Sequence, residues 1–351
     1  MLTNQAHPLR LGGSSYAHGK HLWKLPITTD LNGGDIDLYN HVIVGSKPGP
    51  TLTLTSTLHG VEWLSIEMLK RVVERLDPDQ LTGAVIAIPV ANPSALGNMS
   101  RTTPDDSDNA DLNRTFPGRH TWITEQLAQA IVREVLPHTS AVIDFHLGIW
   151  GSSFGYVAYG IDFPDEKTND ASKRMALAFG VPILQAAKFI ANFPGPRSLA
   201  GYAGAQLGIP SCIGELGGAG FGHQTEEEWI ETCVTGIFNV LKEFGMYSGA
   251  KPSRPPRYLS FEAAHRVNPS KGGLLYPVNR DETFGREVKE GELLATVVSP
   301  YTFAVMEELR SPCDGYISYF ARWYPVRPGD WAFGVIPKDS PGTKWVDSHG
   351  V

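Results

Sequence analysis

The first residues of this sequence that could do chemistry are His59 and Glu62, in the segment His-Gly-Val-Glu. Residues 51–58 precede them and alternate polar and apolar side chains, which predicts a strand. A His and a Glu separated by two residues at a strand end can both turn toward one ion, and two His with one Glu form a common zinc ligand set. The pair alone is equally explained by a surface His beside a Glu at a helix start.

A second histidine, His146, ends the apolar run 141–146, which predicts a strand buried on both faces. Open α/β sheets bind ligands at the carboxyl ends of their strands, so we expect His146 to be the third ligand. Asp144 lies two residues earlier on the same side of the strand, where it would orient the imidazole. A core histidine that is satisfied by a hydrogen bond is the alternative.

The segment between the two histidines carries Arg101, Asn113 and Arg114. It follows another predicted strand, residues 84–90, and is long and polar, as functional loops are. Arginine has a planar fork that holds a carboxylate through two hydrogen bonds. Two arginines and an asparagine beside a metal would suit a substrate with a carboxylate and a carbonyl. Solvated arginines in a mobile loop are the alternative.

Glu215 lies near the end of the predicted strand 211–216 and is followed by three glycines within five residues. A carboxylate there can take a proton from a metal-activated water and later protonate a leaving amine. The glycines would allow close approach of the backbone. A glutamate in a structural ion pair is the alternative.

The elements that must position these residues alternate between strands and helices. This alternation predicts a mostly parallel sheet covered on both faces. Thr225 and Glu228 predict a capping box at the start of a helix that Gly245 ends. The first 40 residues are polar and Gly-rich, which predicts a lead-in with short strands. Further helices are predicted at residues 62–76, 123–136, 170–179 and 198–207.

The composition changes at residues 248–256, which are rich in Pro, Ser and Gly and predict a linker. After it, helical periodicity disappears and short β-like runs follow. We therefore predict a catalytic domain over residues 1–250 and a small all-β domain over residues 257–340.

The composition as a whole excludes several classes of protein. Hydrophobic residues make up 42% and charged residues 19%, so the chain can bury a sizeable core. The net charge of −7 argues against nucleic acid as the main partner. No apolar run is long enough to span a bilayer, and the N-terminus lacks the apolar segment of a secretory signal. The three cysteines lie far apart, which excludes a disulfide framework and predicts a reducing, cytoplasmic location.

Taken together, these segments resemble the succinylglutamate desuccinylase/aspartoacylase family, a branch of the zinc carboxypeptidase superfamily. The resemblance spans residues 50–340, and its most specific piece is DLNRTFPG. The Gly-rich segment is more similar to bacterial relatives that deacetylate acetylated diaminobutyrate. The matching pieces, in the order of the family, are HGVE (59–62), NPSALGNMSR (92–101), DLNRTFPG (111–118), DFHLG (144–148) and GELGGAG (214–220).

The resemblance implies an α/β fold of the zinc carboxypeptidase type, with a mostly parallel mixed sheet flanked by helices and a smaller C-terminal all-β domain. It also implies one zinc ion per chain, held by His59, Glu62 and His146. Glu215 would be the general base and proton shuttle.

The substrate contacts implied by the resemblance come from the segment between the histidines. Arg101 would polarise the scissile carbonyl, and Asn113 and Arg114 would hold the α-carboxylate of the substrate. The sequence departs from the family at Leu58, where many members have a small residue, and at Trp63. It offers no match for the residues that bind the acyl-side carboxylate.

The C-terminal region resembles the hairpin fold of biotinyl and lipoyl carriers. The likeness lies in residues 288–291 and 311–315. A carrier needs a lysine at its hairpin tip, and residues 291–312 contain none. We therefore predict a cap that shapes the mouth of the active site.

These inferences predict a zinc-dependent amidohydrolase that cleaves an N-acyl amino acid or a similar small amide. A metallocarboxypeptidase acting on peptides would use the same zinc site and is the alternative. A third hypothesis is a zinc-binding protein without catalysis. We expect neither nucleic acid nor membrane as a partner. The sequence leaves open the acyl group, the amine and the oligomeric state, a homo-oligomer included.

Overall fold

The computed structural model describes residues 2–5, 8–104, 107–149, 151–250 and 254–348. The strands of the first part are β1 (Leu9–Leu11), β2 (Ser14–Tyr16), β3 (Gly19–Thr29), β4 (Asp35–Val44), β5 (Lys47–Thr55), β6 (Thr82–Ile88), β7 (Ala141–Gly148), β8 (Ser152–Gly160), β9 (Ile183–Ala187) and β10 (Ser211–Gly218). The α-helices are α1 (Leu64–Arg75), α2 (Pro93–Gly97), α3 (Ile123–Ala130), α4 (Glu166–Phe179), α5 (Leu199–Leu207) and α6 (His223–Glu243). The strands of the last part are β11 (Arg257–Phe261), β12 (His265–Val267), β13 (Gly273–Pro277), β14 (Glu287–Val288), β15 (Leu293–Val298), β16 (Val305–Arg310), β17 (Gly315–Ala321), β18 (Tyr324–Val326), β19 (Phe333–Pro337) and β20 (Lys344–Asp347).

A mixed sheet of 14 strands forms the centre of the molecule, and its main path runs β12-β19-β17-β8-β10-β7-β5-β6-β4-β3. The strands β10, β7, β5 and β6 in the middle of this path pair in parallel. Antiparallel pairs extend the sheet on both sides. Every residue of β7 and β10 is buried, as expected of strands covered on both faces.

Helices cover both faces of the sheet. The first core cluster joins α1, α4 and α6 to one face through residues such as Met68, Phe179 and Ile237. The second cluster joins α3 and α5 to the other face through residues such as Leu127 and Leu199. This confirms the predicted α/β class, a mixed sheet flanked by helices with an antiparallel β region after it.

The C-terminal strands continue the central sheet. Strand β17 pairs with β8, and β11 pairs with β9. A separate four-stranded sheet has the order β16-β15-β13-β18. The boundary between domains at residues 250–257 stays a prediction, since strands on its two sides share hydrogen bonds and residues 251–253 lie outside the described part.

Two local predictions differ from the structure. The N-terminal segment forms long strands, β3 and β4 of 11 and 10 residues, that pair along the edge of the main sheet. The capping box at Thr225 and Glu228 does not form, because α6 begins at His223 after Gly222. Glu226 instead accepts a hydrogen bond from the Phe221 N–H at 2.8 Å, which fixes the Gly-rich loop before the helix.

No helix in the described residues is long and apolar enough to cross a membrane.

Candidate active site

The loop between β5 and α1 brings His59 and Glu62 together. The strand ends at Thr55, three residues earlier than the sequence predicts. Thr57 adopts a left-handed φ of 56°, a conformation that costs a threonine about 1–3 kcal/mol and is common at functional sites. Gly60 has no room for a side chain, since a Cβ atom would lie 2.1 Å from the backbone of Ala95. The chain therefore turns tightly here, and both side chains point into the site.

Three buried side chains converge in this loop and at the end of β7. His59 Nδ1 lies 2.8 Å from Glu62 Oε1, and His146 Nδ1 lies 2.8 Å from Glu62 Oε2. One potential ligand atom from each residue lies within 4.8 Å of the other two. Two imidazole nitrogens and a carboxylate are the donors that catalytic zinc sites use. The group thus fits a zinc ion, as the sequence predicts.

The outer nitrogen of each imidazole faces a carboxylate. His146 Nε2 lies 3.0 Å from Asp144 Oδ2, the contact predicted for Asp144. The hydroxyl of Thr55 donates to the other Asp144 oxygen at 2.6 Å. His59 Nε2 lies 3.0 Å from Asp111 Oδ1. These partners leave the two Nδ1 atoms directed at Glu62, the arrangement that orients metal-binding histidines.

The charges of this group depend on one another. Burial alone would raise the pKa of Glu62, but the two histidines beside it hold that pKa at about 2. Burial alone would lower the pKa of His146, but the Asp144 and Glu62 carboxylates hold it well above its usual range. The carboxylates of Asp144 and Glu62 therefore favour a positive charge at His146. A bound metal ion would supply that charge in place of the proton on His146.

Glu215 lies beside this group on the neighbouring strand. It pairs in register with His146, so the two side chains project from the same face of the sheet. Its side chain is buried, and burial raises the pKa of its carboxyl to about 7. None of the described residues forms a hydrogen bond with this carboxylate. Glu215 thus has a free carboxylate with the pKa of a general base, facing the cavity.

The segment between the histidines places its predicted residues around the same cavity. Arg101 Nη1 lies 3.8 Å from Glu62 Oε1, and Arg101 Nη2 donates to Asp111 at 3.4 Å. Arg114 lies over the Phe193 ring at 5.2 Å. Both arginines line the cavity.

Asn113 is already engaged by the protein. Its Oδ1 accepts a hydrogen bond from the Leu199 N–H at 2.9 Å, and its Nδ2 lies 3.0 Å from His146 Nε2. The side chain is almost fully buried. Its contact with substrate stays a prediction, since in this structure the amide positions α5 and the His146 ring.

A cavity of about 1420 Å³ opens from this group, and both parts of the chain line it. Residues 261–266 and 318–334 supply much of the far wall. Sequence reasoning assigned no role to Asp111, although it lies inside the DLNRTFPG segment. It also missed Thr55, which no motif distinguishes from the other threonines of β5.

Asp111→Asn is expected to weaken metal binding by about 10- to 100-fold with little change in fold. The amide keeps an oxygen that can accept the Asn113 N–H, as Asp111 does at 2.9 Å, but it loses the charge that faces His59. Competition of the variant with a metal chelator measures the affinity. Glu262→Gln, on the cavity wall away from the histidines, is the matched control. An unchanged affinity would contradict a role for Asp111 in orienting His59.

Comparison with known proteins adds independent information to this geometry. The family model described as the succinylglutamate desuccinylase/aspartoacylase catalytic domain matches residues 48–244. A curated relative is the N-alpha-acetyl-L-2,4-diaminobutyric acid deacetylase of Halomonas elongata. It is 29% identical over 317 residues, which cover 88% of this chain and 88% of the relative.

Solved structures share the fold over almost the whole chain. A succinylglutamate desuccinylase from Silicibacter sp. TM1040 superposes with a TM-score of 0.78 at 25% identity, covering 95% of this chain and 98% of the other. The product-bound ectoine utilization protein EutE from Ruegeria pomeroyi superposes with a TM-score of 0.77 at 25% identity, covering 94% and 100%. The likeness includes the strands after residue 257, so the cavity wall that they form belongs to the shared fold.

Proposed function

Because this chain belongs to the succinylglutamate desuccinylase/aspartoacylase family, we propose that it hydrolyses the amide bond of an N-acyl amino acid or a similar small amide. The reaction uses one zinc ion per chain, held by His59, Glu62 and His146. Water adds to the acyl carbon, the C–N bond breaks, and the products are a carboxylate and a free amine.

The observation that carries this proposal is the alignment of Glu215 with a zinc-type donor set at the bottom of one cavity. A zinc ion held there would supply Lewis acidity, lowering the pKa of a water molecule and polarising a carbonyl oxygen. Glu215 accepts a proton from the attacking water and delivers it to the amide nitrogen as the C–N bond breaks. Its buried, unpartnered carboxylate suits both steps.

Arg101 and Arg114 take different parts in the proposed reaction. Arg101 lies next to Glu62 and donates to the carbonyl oxygen as that oxygen gains negative charge. Arg114 binds the α-carboxylate of the substrate through its planar fork, and the Phe193 ring supports it from one side. Asn113 completes the carboxylate site, as the family resemblance implies.

Substitutions of the two arginines are expected to change different kinetic constants. Arg114→Ala removes a contact made in both ground and transition states, so KM rises and kcat changes little. Arg101→Ala removes a donor to the developing oxyanion, so kcat falls by about 10²–10³-fold. Arg114→Lys should rescue poorly, because an ammonium cannot reproduce the fork. Steady-state kinetics on one N-acyl amino acid measures both constants, and a swapped pattern would exchange the two roles.

A substrate panel tests the proposed function. Zinc-loaded protein is assayed for free amine released from N-acetyl, N-formyl and N-succinyl amino acids, including N-acetyl-L-2,4-diaminobutyrate, the type of substrate named for the Halomonas elongata relative. We expect turnover of at least one of these amides. Release of C-terminal residues from peptides, with no turnover of N-acyl amino acids, would favour a metallocarboxypeptidase. No turnover of either class would favour a zinc-binding protein without catalysis.

A further inference from the structure

A row of side chains leads away from the candidate metal group across one face of the sheet. Glu215 on β10 pairs with His146 on β7 and, on its other side, with Tyr156 on β8. Residues paired in this way project from the same face of a sheet. Tyr156 therefore lies next to Glu215 on the side away from His146, and it lines the same cavity.

A second row continues this face into the C-terminal strands. Phe154, two residues before Tyr156, pairs with Tyr319 on β17. Tyr319 pairs with Gly334 on β19, and Gly334 pairs with Arg266 on β12. All of these residues line the cavity. At Gly334 an added Cβ atom would lie only 2.9 Å from Ser318 Oγ and 3.0 Å from Tyr319 Cβ, so the neighbouring side chains already fill this position.

Four rings along these rows form a continuous surface, the aromatic wall, which consists of Phe154, Tyr156, Tyr319 and Trp331. The Phe154 ring lies 5.8 Å from Tyr156 and 4.6 Å from Tyr319, and the Tyr319 ring lies 5.7 Å from Trp331. The Arg266 guanidinium stacks over Trp331 at 3.7 Å. The wall therefore begins beside Glu215 and ends at a cation.

The wall holds two hydrogen-bond donors without a protein acceptor. Among the described residues, nothing accepts a hydrogen bond from the Tyr156 hydroxyl or from the Arg266 guanidinium, whereas the Tyr319 hydroxyl donates to the Trp331 carbonyl at 3.0 Å. Burial and the Glu215 charge hold the pKa of Tyr156 well above its usual range, so the phenol keeps its proton. Tyr156 is a buried residue and Arg266 is an exposed one, and both present their donors to the cavity, where an acceptor on a ligand can bind them.

The dimensions of the cavity leave room for a substrate longer than a short-chain acetyl amino acid. Strand β12 is four strand spacings from β10, roughly 19 Å at about 4.8 Å each, and the Arg266 side chain spans only part of that distance. The cavity volume of about 1420 Å³ also exceeds the upper end of the usual range for small-molecule sites, on the order of 1,000 Å³.

Resting on the proposed function, we infer that the substrate carries an aromatic group with a carboxylate, which lies along the aromatic wall and binds Tyr156 and Arg266. The ring packs edge or face against the wall, as aromatic pairs prefer. The carboxylate accepts from the planar fork of Arg266. The aromatic carboxylate belongs either to the acyl part of the substrate or to its amino acid side chain. In both cases the same ring and carboxylate contact the aromatic wall and Arg266.

This inference departs from the substrate named for the Halomonas elongata relative, which has an amine in its side chain. Partial burial lowers the pKa of Arg266, and the groups that oppose this shift are the hydroxyls of Tyr156 and Tyr319 rather than a carboxylate. A cationic side chain directly beside Arg266 would meet a like charge, and two carboxylates that line the cavity, Glu262 and Asp330, form no ion pair with Arg266.

Two matched substrate pairs test the inference with zinc-loaded protein. N-(4-carboxybenzoyl)glycine is compared with N-benzoylglycine for the acyl source, and N-acetyl-4-carboxyphenylalanine with N-acetylphenylalanine for the side-chain source. We expect kcat/KM about 10- to 100-fold higher for the carboxylate-bearing member of one pair, which identifies the source. Ratios near one in both pairs, or N-acetyl-L-2,4-diaminobutyrate as the best of the five substrates, would overturn the inference.

Substitutions test which residues cause the preference for the carboxylate-bearing substrate. The ratio within the favoured pair should fall to about one in Arg266→Gln and should fall in part in Tyr156→Phe, which keeps the ring contacts of the wall. Arg327→Gln removes an equal charge from the same cavity and should keep the wild-type ratio. An unchanged ratio in Arg266→Gln would contradict the assignment.

A binding measurement separates this inference from the proposed function. Calorimetry with 4-carboxyphenylalanine, 4-carboxybenzoate and their carboxylate-free counterparts requires no turnover. Tighter binding of one carboxylate by about 10-fold or more, lost in Arg266→Gln, supports the subsite even if no amide is hydrolysed. Equal binding within both pairs, alongside turnover of simple N-acetyl amino acids, would overturn the subsite and leave the proposed function intact.

Discussion

Glu215→Gln is expected to leave the fold intact and to lower kcat by about 10²–10⁴-fold, near the upper end of that range. The upper end is expected because the same carboxylate both accepts the proton and returns it. Glutamine has the same shape, and none of the described residues forms a hydrogen bond or an ion pair with this carboxylate. Steady-state kinetics at saturating substrate measures the loss.

The control for this variant is Glu262→Gln, which removes another carboxylate that lines the same cavity. Its kcat should stay near that of the wild type. Near-native kcat in Glu215→Gln, with a loss in Glu262→Gln, would mean that the proton moves through a different group.

His146→Ala is expected to remove zinc from the protein and to abolish turnover. The variant lacks one of three ligands and leaves the carboxylates of Glu62 and Asp144 buried without their shared partner. Breaking such a buried pair costs about 3–5 kcal/mol, so the melting temperature should also fall. Elemental analysis of the purified protein gives the zinc content per chain.

Two further variants separate metal loss from misfolding. Glu62→Gln keeps the shape of the group and should also lose zinc, because a neutral amide is a poor zinc ligand. His265→Ala removes an exposed histidine from the far wall of the cavity and should keep one zinc per chain. Wild-type zinc content in His146→Ala would contradict the proposed ligand set.

The sequence alone was sufficient to predict the residues that meet at the carboxyl ends of the strands. His146 and Glu215 end apolar runs that form β7 and β10, and parallel strands bring such ends to one edge of a sheet. His59 and Glu62 follow β5, the neighbour of β7. Local patterns therefore predicted that these residues lie at strand ends, and the family resemblance joined them into one donor group.

Contacts between distant segments could not be predicted from these patterns. The side chain of Asp111 meets His59 through a loop of irregular backbone, and no periodicity encodes where such a loop folds back. Strand β17 pairs with β8 although more than 150 residues separate them in sequence. The position of Arg266 could not be predicted from the sequence patterns either. This residue reaches the cavity only because β12, β19 and β17 extend the sheet beyond β8.

Titration of zinc into chelator-treated protein tests the central claim most directly. The initial rate of amine release from an N-acyl amino acid is measured at each addition of zinc. The proposed function predicts negligible hydrolysis without metal, a rise in rate up to one zinc per chain, and a plateau beyond it. Hydrolysis at the full rate in the chelated protein, or no hydrolysis at any zinc content, would contradict a zinc-dependent amidohydrolase.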